Sequence, residues 1–315
     1  MKNKIIATIS GILLSLGLVA QQDASFSQYF FNPLYINPAY AGSRGIFSGT
    51  MVYRSQWVDM PGTPVTESVG IHGMVSGSNV GLGLQFYNDN SGPLTTTNIS
   101  GIFAYHLPLG NDMKLSFGIE GCMDNLNIGL NKLSLENTSD PVFSPNTSSV
   151  WLPDANAGLY LYKDRFFTGF SVKHLLQPNF GKNEGAPGNA ELYRAFYLTA
   201  GFVTNLSDNV GIRPSILAKY VQGAPIDLDI DASLIFYDKL YLGAGIRTDK
   251  RIDLNGMDNI LVLSIEYDIF NRIRFGYSYD MYLGNDANYM NGTHEIMLGW
   301  DLYSNKTRMT SPKYF

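Results

Sequence analysis

The chain has 315 residues and a formal net charge of −5, with 45% hydrophobic, 13% aromatic and only 16% charged residues. An acidic chain without a basic stripe excludes a nucleic-acid partner, and this apolar and aromatic content excludes a disordered chain. A charged share well below the roughly 25% of ordinary soluble domains fits a surface that mostly faces away from water.

In chain order, Met1-Lys2-Asn3-Lys4 precedes an apolar stretch from Ile5 to Val19 and the polar Gln21, Gln22 and Asp23. Residues 1–20 read as a cleavable signal peptide. Beyond them no run of about 18 or more apolar residues occurs, which removes the helical membrane class. Residues 21–44 follow, with Asn32-Pro33-Leu34-Tyr35 and Asn37-Pro38-Ala39-Tyr40. Each proline forbids a continuous strand or helix and pushes the preceding Asn to an extended or turn conformation. Phe26, Tyr29, Phe30, Phe31, Tyr35 and Tyr40 give the segment apolar area that it must bury, so it is expected to plug a lumen or its periplasmic mouth, or else to lie as a strand-like arm under the barrel. Asn32, Pro33, Tyr35, Asn37, Pro38 and Tyr40 are the residues singled out there for plug or partner contacts.

Fourteen strands are predicted over 45–303: at 45–57, 64–75, 78–88, 94–107, 112–127, 152–162, 164–174, 190–205, 209–222, 225–237, 239–248, 256–269, 272–283 and 292–303. The most informative is Ile226–Phe236, in which Asp227, Asp229, Asp231 and Ser233 alternate with Leu228, Ile230, Ala232 and Leu234. Alternate residues of a strand face opposite ways, so carboxylates meet water or a polar plug while the aliphatic side chains meet lipid. Tight connections at 76–78, 110–112, 163–164, 207–209, 237–239 and 270–271 carry turn residues. Longer ones lie between them, notably 128–151, 175–189, 249–256 and 284–291. Short turns on one rim and long loops on the other make the fold class all-β: a transmembrane antiparallel barrel of about 14 strands, in the outer membrane. An even count puts both chain ends in the periplasm. Residues 304–315 read as a periplasmic tail.

Parity sketches the lumen. Glu266 and Asp268 oppose Leu263, Ile265 and Tyr267, and Arg272 and Arg274 oppose Ile273 and Phe275. Two lumenal ion pairs are predicted, Asp268 with Arg272 and Glu266 with Arg274, from a register matching 268 to 272. Lys114, Glu120 and the three aspartates join this inward set. Fourteen strands leave a lumen open unless something fills it.

Little chemistry is legible. His72, His106, His174 and His294 are scattered over four strands without metal-ligand spacing. Asp227, Asp229 and Asp231 stand nearly 7 Å apart in succession on a strand rising about 3.3 Å per residue, too far to chelate one ion. Gly81-x-Gly83 and Gly243-x-Gly245 lack the third glycine of a dinucleotide site and read as close wall packing. Asp280, Asp286 and His294 could meet at the outer rim as in barrel hydrolases, but no nucleophile motif supports it. No cofactor, no metal and no catalytic residue is expected. Asp154, Asn156, His174, His294 and Glu295 are the candidate contacts at the long-loop rim.

The N-terminal FSQYFFNPLYINPAYAG, with Pro153-Asp154-Ala155-Asn156-Ala157-Gly158, Phe170-Ser-Val-Lys-His174-Leu175 and Gly292-Thr-His294-Glu295-Ile-Met-Leu298, resembles the PorP/SprF family of type IX secretion system outer-membrane proteins. The likeness runs nearly end to end through the mature chain. It implies a role in protein secretion or gliding motility in Bacteroidetes-type bacteria. The implied partners are periplasmic ring and peptidoglycan-linked components, the C-terminal sorting domain of a secreted adhesin, and outer-membrane lipid. The rival reading is a transport barrel like the long-chain fatty-acid channels, whose plug also carries Asn-Pro-Ala. A charged lumen disfavours it.

Overall fold

The computed structural model describes residues 25–58, 62–129, 148–180, 191–248, 259–270, 272–283 and 291–302. The signal peptide, Asp286 and the tail expected from the sequence lie outside these residues. The strands are β1 (Phe47–Ser55), β2 (Val65–Met74), β3 (Val80–Ser91), β4 (Leu94–Gly110), β5 (Met113–Ile128), β6 (Ser148–Lys163) and β7 (Phe166–Lys173). Then follow β8 (Ala195–Phe202, resuming as Thr204–Ser207), β9 (Val210–Val221), β10 (Asp227–Phe236), β11 (Leu240–Thr248), β12 (Asn259–Ile269), β13 (Ile273–Tyr282) and β14 (Thr293–Leu302). Each pairs with the next in antiparallel fashion, and β14 returns to β1 from Phe47↔Leu302 to Ser55↔His294. The result is a closed 14-stranded barrel, in which no strand edge is left to template aggregation.

The two faces follow the side-chain alternation. In β10, Ile230 and Leu234 are exposed on the outside while Asp229, Asp231 and Ser233 are buried inside. The outer belt continues through Leu84, Phe103, Ile119, Leu198, Leu263, Phe275 and Leu298, all exposed. Such a belt is stable only against hydrocarbon.

Connections sort by rim, with one departure. The turns at 111–112, 164–165, 208–209 and 237–239 are short and sit on the rim that also holds the start of β1 and the end of β14. On the opposite rim β3 and β4 are joined by only Gly92-Pro93, because the strands extend to Ser91↔Leu94 and Gly92 takes a left-handed φ of 59°. The β12–β13 connection corrects the predicted register. Ile269 pairs with Ile273, Asp268 with Arg274 and Glu266 with Gly276, so three residues make the connection, and Phe270 stands at φ 56°. Arg272 is exposed in that connection, and Arg274 moves opposite Asp268, so the predicted matching of 268 with 272 and 266 with 274 does not occur. Because the shift is two residues, the facing of every side chain is unchanged.

Candidate functional site

Residues 25–46 occupy the lumen. Two 3-10 turns, Tyr29–Phe31 and Pro38–Tyr40, flank a single α-turn, Pro33–Ile36, with a proline opening each of the latter two. Asn37 shapes the second turn: its side chain accepts from Ala39 N–H at 2.9 Å, and its Nδ2 donates to Leu159 O on β6 at 2.8 Å. Both Asn-Pro blocks therefore sit inside the barrel, with Asn32, Tyr35, Asn37, Pro38 and Tyr40 buried and Pro33 half-buried. The segment rises from β1 on the short-turn rim and brings Phe26, Ser27 and Gln28 to the ends of β13 and β14 on the long-loop rim. The segment thus runs the height of the lumen, as a plug does, rather than lying across one mouth.

Its lower part is held by packing. Gly118 and Gly158 leave the wall open where Ala39 backbone and the Asn37 side chain press against it; a Cβ at either position would overlap them. The Ser171 hydroxyl donates to Ile36 O at 2.6 Å. His106 Nε2 lies 2.9 Å from Ala41 O, and its Nδ1 lies 2.8 Å from the Tyr162 hydroxyl. A carbonyl can only accept, so Nε2 carries the proton and Nδ1 accepts from the phenol. His72 Nδ1 accepts from Gly42 N–H at 3.0 Å. At the base, Arg44 bridges Asp301 at 2.7 Å, with Arg274 at 3.7 Å from the same carboxylate.

The upper end is held by charge. Ser27 N–H and Gln28 N–H donate to the two oxygens of Glu295, each at 2.8 Å. The Ser27 hydroxyl donates to Asp280 at 2.7 Å. Arg54 joins both carboxylates, at 2.8 Å to Asp280 and 3.0 Å to Glu295. Arg247 bonds Asp229 at 2.6 Å and Phe26 O at 3.0 Å. Two arginines and three carboxylates thus close round one serine, and shorter charge-assisted bonds of this kind are the stronger ones. Between the two ends, aromatic side chains meet cations: Lys173 Nζ stands 3.6 Å from the Tyr35 ring centre, and the Arg213 guanidinium 4.3 Å from Phe30 and 4.6 Å from Phe31. Tyr29 donates to Ser215 at 3.1 Å. Burial, and next the Asp231 carboxylate, hold the Tyr29 phenol well above its usual range, so it stays a donor. Cavities of about 40, 20 and 10 Å³ remain beside the segment, room for one to about three waters each.

A second cluster lies on the lumenal face of β4 to β6. Asp124 accepts from Asn98 Nδ2 at 2.7 Å and faces the Cys122 thiol at 3.9 Å. Asp154 accepts from Ala155 and Leu176 N–H at 2.7 and 3.1 Å and meets His174 Nδ1 at 2.7 Å. Asn156 donates to Glu120 at 2.9 Å and accepts from His174 N–H at 3.0 Å. His174 turns back over the lumen because its φ is 56°.

These placements correct the rim assignment. Asp154, Asn156, His174 and Glu295 are buried inside the barrel rather than displayed at its edge. His294 alone faces outward, against Tyr277, whose hydroxyl is 2.8 Å from its Nδ1. Asp280 points inward, so it and His294 lie on opposite faces and cannot share a hydrolytic site. Sequence reasoning missed Arg54, Arg247 and Ser27. Arg54 and Arg247 carry the inward parity of their strands, but only the three-dimensional closure shows that both reach one serine.

No curated protein sequence matches the chain. Among solved structures, the CymD monoaromatic hydrocarbon channel aligns at a TM-score of 0.51 with 12% identity, covering 91% of this chain and 95% of that one. The Pseudomonas putida toluene transporter TodX gives 0.45 at 10% identity, with 90% and 95% covered. The Acinetobacter baumannii outer membrane protein Omp33 gives 0.47 at 10% identity, with 83% and 100% covered. CymD shows the shared outer-membrane barrel fold and nothing about activity. The sequence pattern of the family described as type IX secretion system membrane protein PorP/SprF matches residues 18–300, 90% of the chain, and the protein belongs to that family.

Proposed function

We propose that the protein is a non-catalytic, permanently filled outer-membrane barrel of a type IX secretion system, which supports export or surface attachment of a secreted adhesin and couples it to periplasmic ring components. The observation that carries this reading is the lumen filled from rim to rim by residues 25–46, tied at one end by Arg54, Arg247, Asp280 and Glu295 and at the other by the Asn37–Ala41 turn. A barrel filled in this way offers a rigid frame and two chemically different rims, which suits an anchor better than a conduit. In this reading the long loops meet the secreted partner, and the short turns meet the periplasmic machinery. The C-terminal tail and the outward His294 are further proposed contacts.

A second reading has support in the fold shared with CymD: a barrel that passes small hydrophobic molecules. The buried lumenal charges, among them Arg44, Arg54, Arg247, Asp280, Glu295 and Asp301, speak against an apolar chamber, because each would stand unsolvated beside an oily ligand. The deciding experiment is mass spectrometry of proteins co-purifying with this chain from detergent-solubilised native envelopes. Recovery of periplasmic ring components or of an adhesin with a C-terminal sorting domain supports the secretion role. A barrel recovered alone with bound hydrocarbon or lipid gives the transport reading the lead.

A further inference from the structure

One cluster of metal-ligating chemistry is not used by the anchor just described. On the lumenal face of four neighbouring strands, Gln85, Ser100, Cys122 and Asp154 stand in one cross-strand row. Asp124 lies two residues along β5 from Cys122. The Cys122 thiol and one carboxylate oxygen each of Asp124 and Asp154 lie within 4.8 Å of one another, and all three residues are buried. A fourth group completes the set: Ser100, directly across from Cys122 and 3% exposed, has a buried hydroxyl without a hydrogen-bond partner among the described residues. An unpartnered buried hydroxyl on the lumenal face, directly across from the thiol of this cluster, marks a place where a further atom belongs.

We propose that Cys122, Asp124 and Asp154 form a zinc site in the upper lumen, with Ser100 hydrogen-bonded to a water in the fourth position. Three protein ligands plus water is a common zinc arrangement, whereas calcium takes six to eight oxygens and no sulfur. Thiolate ligation further favours zinc over the hard divalent ions. Zinc ligand atoms sit about 2.0–2.3 Å from the ion, hence about 3.3–3.8 Å from one another in a tetrahedron, so closure needs shifts of about an ångström. The Cys122 thiol already points its proton at Asp124. Zinc replaces that proton: the S–H bond breaks, the S–Zn bond forms and one proton leaves to solvent. His174 is a positioning residue here, since its ring bonds Asp154 Oδ2 and fixes the carboxylate as outer groups fix metal ligands elsewhere. The sequence hides the site because Asp154 comes from a different strand than Cys122 and Asp124, with no pair at a recognised metal spacing.

The site stands apart from the secretion role, and its test reads metal alone. The full-length protein in detergent, freed of any affinity tag, is titrated with Co²⁺ as a spectroscopic substitute for zinc. Expected is one equivalent bound with a thiolate-to-cobalt charge-transfer band that Zn²⁺ abolishes. C122S should lose the band entirely. D154N and D124N should weaken binding at least tenfold, and H174Q should weaken it less. Heat-modifiable electrophoretic mobility reports that each variant is a folded barrel, and S100A, which removes no ligand, gives a second folded variant expected to keep the band. Absence of the band in the wild type, or Co²⁺ and Zn²⁺ binding unchanged in C122S, would overturn the assignment.

Discussion

The two ends of the lumenal segment are held by different physics. At the long-loop end, Ser27 and Gln28 are bound by Glu295, Asp280, Arg54 and Arg247, groups that gain only when every partner is present. At the short-turn end, Ala39 and Asn37 are held chiefly by shape against Gly118 and Gly158, while His72, His106 and Ser171 bond the backbone of Gly42, Ala41 and Ile36 and Arg44 pairs with Asp301 beneath them. A charged anchor is cheap to leave when water can enter, since each ion regains its hydration. A steric anchor has no such exit. The segment is therefore fixed at its base and more readily released at its long-loop end, and the difference can be tested piece by piece.

The largest effect should follow removal of the whole segment. Deleting residues 25–44 leaves fourteen strands round an empty lumen, intermediate between side-chain-filled barrels of eight and aqueous ones of sixteen. Sustained ion conductance in planar bilayers is expected from the deletion and not from the full-length protein. A sealed deletion variant would mean that something other than residues 25–44 blocks the lumen. Next comes the steric anchor. G118L places four carbons where Ala39 lies, and overpacking in a tight site costs about 1–3 kcal/mol or more. Here it should also unseat the base, visible as a lowered urea midpoint together with new conductance.

The charged anchor should respond differently. E295A takes away one of the two carboxylates on Arg54 and the acceptor of two backbone N–H groups, and breaking a buried pair by removing one member costs about 3–5 kcal/mol when nothing replaces it. Water entering from the nearby rim should reduce that to the low end. E295Q keeps the shape and an acceptor, and should lose about 1–2 kcal/mol, as expected for exchanging charged for neutral hydrogen bonds. Both variants should stay closed to ions while residues 25–28 gain amide hydrogen exchange. Equal exchange gains at residues 37–41 would show the two ends to be one cooperative unit.

Much of this was legible before the structure. Alternation in Ile226–Phe236 places Asp229 and Asp231 inside because strand parity needs no tertiary information, and the same holds for Glu120 and Glu266. The Asn-Pro blocks announced an irregular, buried segment. Two things were hidden. The β12–β13 register slipped by two because Phe270 adopts a left-handed conformation normally left to Gly or Asn, so the sequence held no sign of a three-residue connection. Asp154, Asn156 and His174 were assigned to the rim from their proximity to a long loop. Asp154 and Asn156 face inward by the parity of β6, opposite Cys122 and Glu120, and the positive φ of His174 turns that residue back over the lumen beside them. Parity says which face a side chain takes, whereas height and partner depend on closure.

The smallest effect belongs to Tyr29, midway between the anchors. Y29F removes the phenol's hydrogen bonding to Ser215 and Asp231, each bond worth about 0.5–1.5 kcal/mol, and should lower the urea midpoint at pH 8 slightly. The two proteins should converge or cross at high pH. The folded phenol titrates well above 10.0 because it is buried and faces Asp231, whereas in the unfolded chain it titrates near 10. A raised folded pKa means that stability is complete below the unfolded value and is lost as pH rises toward the folded one. Wild type should therefore lose more stability than Y29F between about pH 9.5 and 11. A parallel decline in both would show that Tyr29 is reached by water, and that the middle of the segment is as open to solvent as its charged end.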